Sequence, residues 1–289
     1  MTPYAIGVLA LMLLTALACA LPGAYLVTSR QSMLVDAMSH AAFPGIVLAA
    51  LIWPIGSPLL VLGATALALV VVLAAQWAAD SGLVPEDAAL GLVFPALFSI
   101  GVILLSTRFS HLHLHEDAVL VGDPNIVAVI PLTFAGVNLG PSYAWVMGLV
   151  VAANVAFLAL THRKLALVVM DPDYAAVLGL PVRRLRSAAM VMTALTLTAS
   201  FHAAGAVLVI AFVVVPAATA ALFATSFPGV IRGSVVIALV VTTAAFFGTY
   251  WTNRPTSSWT ALLFGLVFVV CTLGVKASRR ARARRAGSA

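Results

Sequence analysis

Apolar residues run along this chain in blocks of about 20, the length at which a helix crosses the hydrocarbon core of a bilayer. Such blocks fall at 4–27, 33–53, 58–79, 87–107, 142–160, 185–201, 205–224, 230–250 and 259–275. The pattern predicts an all-α fold, a polytopic transmembrane helical bundle of about nine spans in one domain, 1–289. The stretch 126–137 is also apolar but too short to cross, so it reads as a re-entrant or interfacial segment. Pro44, Pro95 and Pro216 fall inside blocks, where each removes a backbone donor and is expected to interrupt its helix.

Composition fixes the surroundings. The chain is 63% hydrophobic and 8% charged, against about a quarter charged in soluble proteins, so its main partner is the lipid bilayer. A net charge of +6 might suggest nucleic acid, but six of the 15 basic residues (Lys276, Arg279, Arg280, Arg282, Arg284 and Arg285) sit in the tail 276–289. That placement reads as a cytoplasmic anchor obeying the positive-inside rule, with no nucleic-acid partner. Counting back from a cytoplasmic tail leaves only Arg108 and Arg254 outside and puts the N-terminus outside. The expectation is a multi-pass protein of the cell (inner or plasma) membrane. Cys19 and Cys271 both lie in apolar blocks, so neither a disulfide framework nor a thiolate site is indicated. The first block has no basic stretch ahead of it and reads as a retained span.

Ionisable groups inside such blocks are costly, and by default they mark a functional site. Asp36 and His40 lie four residues apart in SMLVDAMSHAAFPGI (32–46), a spacing that puts both on one helical face with Cβ atoms about 5–6 Å apart. Carboxylate and imidazole at that separation suit a divalent cation, and Pro44 frees the carbonyl of His40 nearby. Taken singly, Asp36 could instead cap a helix, and His40 could be a core histidine bonded to a carbonyl. In the run SHLHLHED (110–117), His111, His113 and His115 alternate with leucine, so they share a face only if extended. They are candidates for a metal entrance, with a solvated loop as the plainer reading.

The loop 162–186 contains MDPDYAAVLGLP (170–181). Asp171 is placed to cap a helix with Pro172 at its first position; Asp173 suits the positive end of the dipole, and Gly179 and Pro181 stop it. A short, well-delimited helix between two basic clusters reads as a docking element, 171–181, for a cytoplasmic partner. No G-x-x-x-x-G-K-[S/T] phosphate cradle occurs in the chain, so energy from nucleotide would come from another subunit.

The segment at 32–46 resembles the GDALSHAxxPG signature of membrane permeases in ABC importers for manganese, zinc and iron, with Val35 where that pattern has glycine. DPDYAAVLGLPV (171–182) is similar to the family's coupling-helix sequence, SFHAAGAVLVIAFVVVPAATA (200–220) to its following signature, and EDAALG (86–91) also fits. The resemblance implies a fold related to the vitamin and siderophore (type II) ABC importer permeases. It implies a second permease copy, two cytoplasmic ATP-binding subunits and an extracytoplasmic metal-binding protein as partners. It further implies a transport subunit rather than an enzyme, with no permanent cofactor and a transported divalent ion, manganese or zinc with iron as a third candidate. On this basis Asp36 and His40 would line the ion path, and Asp171, Asp173, Ala175, Gly179 and Leu180 would belong to the ATPase-coupling element. A proton-coupled secondary carrier and, further off, a membrane metalloenzyme remain as alternatives.

Overall fold

The structure is a computed structural model, and it describes residues 2–54, 59–81, 86–108, 122–134, 137–252 and 254–286. Its elements in order are α1 (Pro3–Thr28), α2 (Met33–Ala49), α3 (Leu60–Asp80), α4 (Glu86–Arg108), α5 (Pro124–Val127), β1 (Pro131–Phe134), β2 (Val137–Pro141), α6 (Ser142–Met170), α7 (Pro172–Val177), α8 (Val182–Ala204), α9 (Ala206–Ala221), α10 (Phe227–Thr252) and α11 (Thr256–Ala286). Among the described residues six helices, α1, α4, α6, α8, α10 and α11, contain a stretch long and apolar enough to cross a membrane. Three shorter apolar helices, Met33–Ala49, Leu60–Ala74 and Ala206–Ala221, accompany them. The fold is the expected helical bundle, with α2 and α9 each four residues shorter than the apolar blocks that predict them.

One expectation needs correction. Helices α2, α4 and α9 run unbroken through Pro44, Pro95 and Pro216. A proline removes one backbone bond, and in an apolar helix neighbouring elements can absorb that loss without ending the helix. The stretch 126–137, expected to be re-entrant or interfacial, is described except at 135 and 136. After α5 it begins a two-stranded antiparallel ribbon, with Thr133 opposite Asn138 and Phe134 opposite Val137. Pro131 and Pro141 bracket the ribbon, and Gly140 turns with φ +88° just before α6 begins.

Helix α1 is the centre of the larger group, packed against α6, α8, α9 and α10. Leu11, Met12, Cys19 and Leu26 of α1 are fully buried in a core that also holds Phe212, Val213 and Phe264. Helix α8 binds its neighbours through polar side chains. Cys19 of α1 donates to Ser200 at 3.3 Å, Asn154 of α6 donates to Thr196 at 2.8 Å, and Thr65 of α3 and Thr198 share a hydrogen bond of 2.7 Å. Bonds of this kind contribute on average about 0.6 kcal/mol each between membrane helices, so their main effect is to fix which faces meet.

Helices α2, α3 and α4 form a smaller group at the side, and α2 also touches α8 and α9. A Cβ placed on Gly45 of α2 would lie 2.7 Å from Ala64 Cα of α3, so the two backbones nearly touch there.

Several elements converge at one end of the bundle. Tyr4 Oη donates to the Asn125 carbonyl at 2.7 Å, Asn125 Nδ2 donates to Thr256 Oγ1 at 2.8 Å, and Ser257 Oγ donates to the Ala204 carbonyl at 3.2 Å. The start of α1, the segment before the ribbon, the end of α8 and the start of α11 therefore share that end.

Candidate functional site

Helix α2 begins after Ser32, whose side chain makes no capping bond, and Asp36 completes the first turn. Asp36 is not the cap, because the helix starts three residues before it, at Met33. The side chains of Asp36 and His40 point the same way, with His40 Nε2 3.5 Å from Asp36 Oδ1. His40 lies at the middle of α2, and it is no core histidine: its side chain is 41% exposed and that of Asp36 is 56% exposed. The flanking residues Val35, Ala37, Met38, Ser39 and Ala41 are all buried. Ser39 turns its hydroxyl back to the Val35 carbonyl at 2.6 Å, away from the pair.

Helix α4 supplies the wall beside the histidine. The Phe98 ring meets the His40 imidazole edge to face, with centroids 6.2 Å apart and planes at 88°. It also tilts against Phe43, at 5.6 Å. One turn on, Gly101 lies against Pro44 with no room for a side chain. Phe98 and Gly101 were not identifiable from the sequence, because only the crossing of α4 over α2 brings them to the pair.

The chemistry open to this pair is that of two ligands. A first-row cation about 2.1 Å from each atom would see the two at about 110°, near the tetrahedral angle. No group of three or more His, Cys, Asp or Glu residues converges among the described residues. The rest of a coordination shell would therefore come from backbone, water or another chain. His111, His113 and His115 lie outside the described residues. His202, near the end of α8, is tilted against Tyr143 of α6, with ring centroids 4.7 Å apart and planes at 57°.

The second predicted element is also a discrete unit. Asp171 Oδ1 accepts from Tyr174 N at 2.9 Å, with Pro172 at the first helical position. At the other end Gly179 takes φ +76°, its N–H reaches the Ala176 carbonyl at 2.9 Å and Leu180 N–H reaches that of Ala175 at 3.1 Å. That pair of bonds is a Schellman motif. Ala175 is fully buried with Val168 and Leu185, and Leu180 and Val182 pack on them, in a small cluster separate from the main core. Ala175 thus anchors α7, while Asp171 and Asp173 are exposed. The outward face adds Tyr174, Val177 and Leu178, at 53%, 85% and 52% exposure, which sequence reasoning did not single out. Their apolar, outward placement breaks the polarity usual for a solvated turn, and that was the available signal.

Comparison with known proteins agrees with this architecture. A manganese transport system membrane protein, MntD of Bacillus subtilis, is 34% identical over 256 residues, covering 88% of this chain and 86% of that protein. A zinc transport system membrane protein, TroD of Treponema pallidum, is 36% identical over 200 residues, covering 69% of this chain and 54% of that protein. Among solved structures, PsaBC from Streptococcus pneumoniae in complex with Fab superposes with a TM-score of 0.72 at 20% identity, covering 92% of this chain and 89% of that one. A profile of the ABC 3 transport family matches residues 1–274, and the chain belongs to that family.

Proposed function

We propose that this chain is the permease subunit of an ATP-driven importer for a divalent transition-metal ion, and that Asp36 and His40 are its ligands along the ion path. One observation carries the reading: a carboxylate and an imidazole, 3.5 Å apart and about half exposed, sit in a helix whose other residues are apolar except Ser39. A carboxylate turned to lipid costs about 2.5–3.5 kcal/mol or more, so this face is one that meets water, an ion or a second protein chain. A second permease copy placed against it would bring two more such ligands. Even then the site would be open and exchangeable, and a conducting site must release what it binds.

An extracytoplasmic binding protein would deliver the ion at the end that carries the ribbon. Cytoplasmic ATP-binding subunits would dock on Asp171, Asp173 and the exposed face of α7 at the other end, with the N-terminus outside and the basic tail 276–289 inside. Carboxylate and imidazole accept Mn(II), Zn(II) or Fe(II). The similarity to MntD favours manganese, that to TroD zinc. In vesicles holding the assembled transporter, Asp36→Asn should abolish uptake while the subunits still co-purify. Uptake at the unaltered rate would remove Asp36 from the path. Uptake by the isolated chain without ATP would point to a secondary carrier.

A further inference from the structure

A groove of about 550 Å³ opens between the end of α9 and the second half of α11, walled by Leu222, Phe223, Cys271, Gly274 and Val275 and ending at Ser278 and Arg279. It changes character along its length. Phe223 is 63% exposed beside it. At Gly274 an added Cβ would meet nothing within 4 Å, so bare helix backbone forms part of the floor. At the far end the chemistry turns basic, with Lys276, Arg279 and Arg280 all exposed. No aspartate or glutamate lies in 174–289, and among the described residues the ion pair found, His40–Asp36, does not involve these cations.

We infer that this groove holds one acyl chain of an anionic phospholipid from the leaflet nearest the basic tail, its headgroup phosphate on Arg279 and Ser278. Charge complementarity selects this occupant. An apolar trough leading to uncompensated arginine at a helix leaving the membrane matches a lipid with an apolar tail and an anionic head. A zwitterionic lipid fills the trough equally well but brings a cation to the arginine. Free phosphate meets the arginine but leaves the trough open. The groove lies at α9 and α11, away from the Asp36–His40 pair, and its occupancy is independent of whether the chain moves metal.

The test uses the full chain purified with its associated subunits, delipidated, and offered phosphatidylglycerol, phosphatidylcholine or glycerol phosphate, with retained lipid read by native mass spectrometry and stability by thermal melting. Phosphatidylglycerol should be retained and should raise the melting temperature beyond either alternative. Arg279→Gln should lower its retention about fivefold. Gly274→Leu, which fills the trough and leaves the charge, should lower it as well. Both positions are exposed, so melting of each lipid-free variant should match that of the unaltered protein. Equal retention of phosphatidylcholine overturns the inference. So does full stabilisation by glycerol phosphate, an unchanged Arg279→Gln or Gly274→Leu protein, or loss of the lipid whenever the ATP-binding subunits are bound. Because lipid retention is read without transport, failure here leaves the metal-path reading standing, and failure of Asp36→Asn leaves this one standing.

Discussion

Gly101 of α4 lies so close to Pro44 of α2 that a Cβ on the glycine would overlap the proline ring. This contact sets the depth at which α4 crosses α2, and thereby seats Phe98 against His40. Gly101→Val should cost about 1–3 kcal/mol by overpacking and should reduce metal uptake through the displaced ring. Gly265→Ala, at a helical position with open space around it, should leave both unchanged. Thermal melting together with vesicle uptake decides the matter, and normal uptake by Gly101→Val would show that Phe98 does not position His40.

Asp36 and His40 should behave as one unit. Each of Asp36→Asn and His40→Gln should lower uptake at least about tenfold, and the double variant should be little worse than the more damaging single one, as for residues acting on one centre. Initial rates of metal entry for the four proteins give the coupling. Multiplying losses would mean that the two side chains serve separate steps.

The corner between α8 and α9 is a single residue, Gly205, with φ +81° and ψ 158°. That backbone region is essentially closed to residues with a Cβ, and occupying it costs about 1–3 kcal/mol. Gly205→Ala should therefore lower the melting temperature, although alanine is the better helix former on both sides. An unchanged melting curve would show that the corner relaxes freely.

Asp171→Ala removes the acceptor that holds Tyr174 N and should loosen α7 by about 1 kcal/mol, whereas Asp171→Asn keeps a capping oxygen. The expected outcome is weaker stimulation of ATP hydrolysis by the permease for Ala and near-normal stimulation for Asn, measured in the reconstituted assembly. Equal defects in both would assign Asp171 a role through its charge instead.

What could be read directly from the sequence was set by local geometry. The four-residue spacing of Asp36 and His40 fixes their common face wherever a helix forms. Asp171, Pro172 and Gly179 specify both ends of α7 within nine residues. Features that depend on distant partners stayed hidden. The ribbon at Pro131–Phe134 and Val137–Pro141 is made of strands too short to announce themselves before they pair. Pro44 leaves α2 intact because its surroundings, not its own ring, decide whether the helix survives. Arg30 adopts φ +59° in the turn after α1, with its N–H on the Val27 carbonyl and that of Gln31 on Leu26, where glycine or asparagine is usual.

The apolar footing of α7 has a mechanical corollary. Val168 belongs to the last turn of α6, Leu185 to the first turn of α8, and Ala175 sits between them in a cluster of its own. A force on α7 is thus borne first by the ends of two long rods, α6 and α8, which carry it along their length to the packing around α1. Helix α8, 23 residues long, spans about 35 Å and finishes beneath Gly122 at the opposite end of the bundle. A small tilt at its base is magnified at its tip.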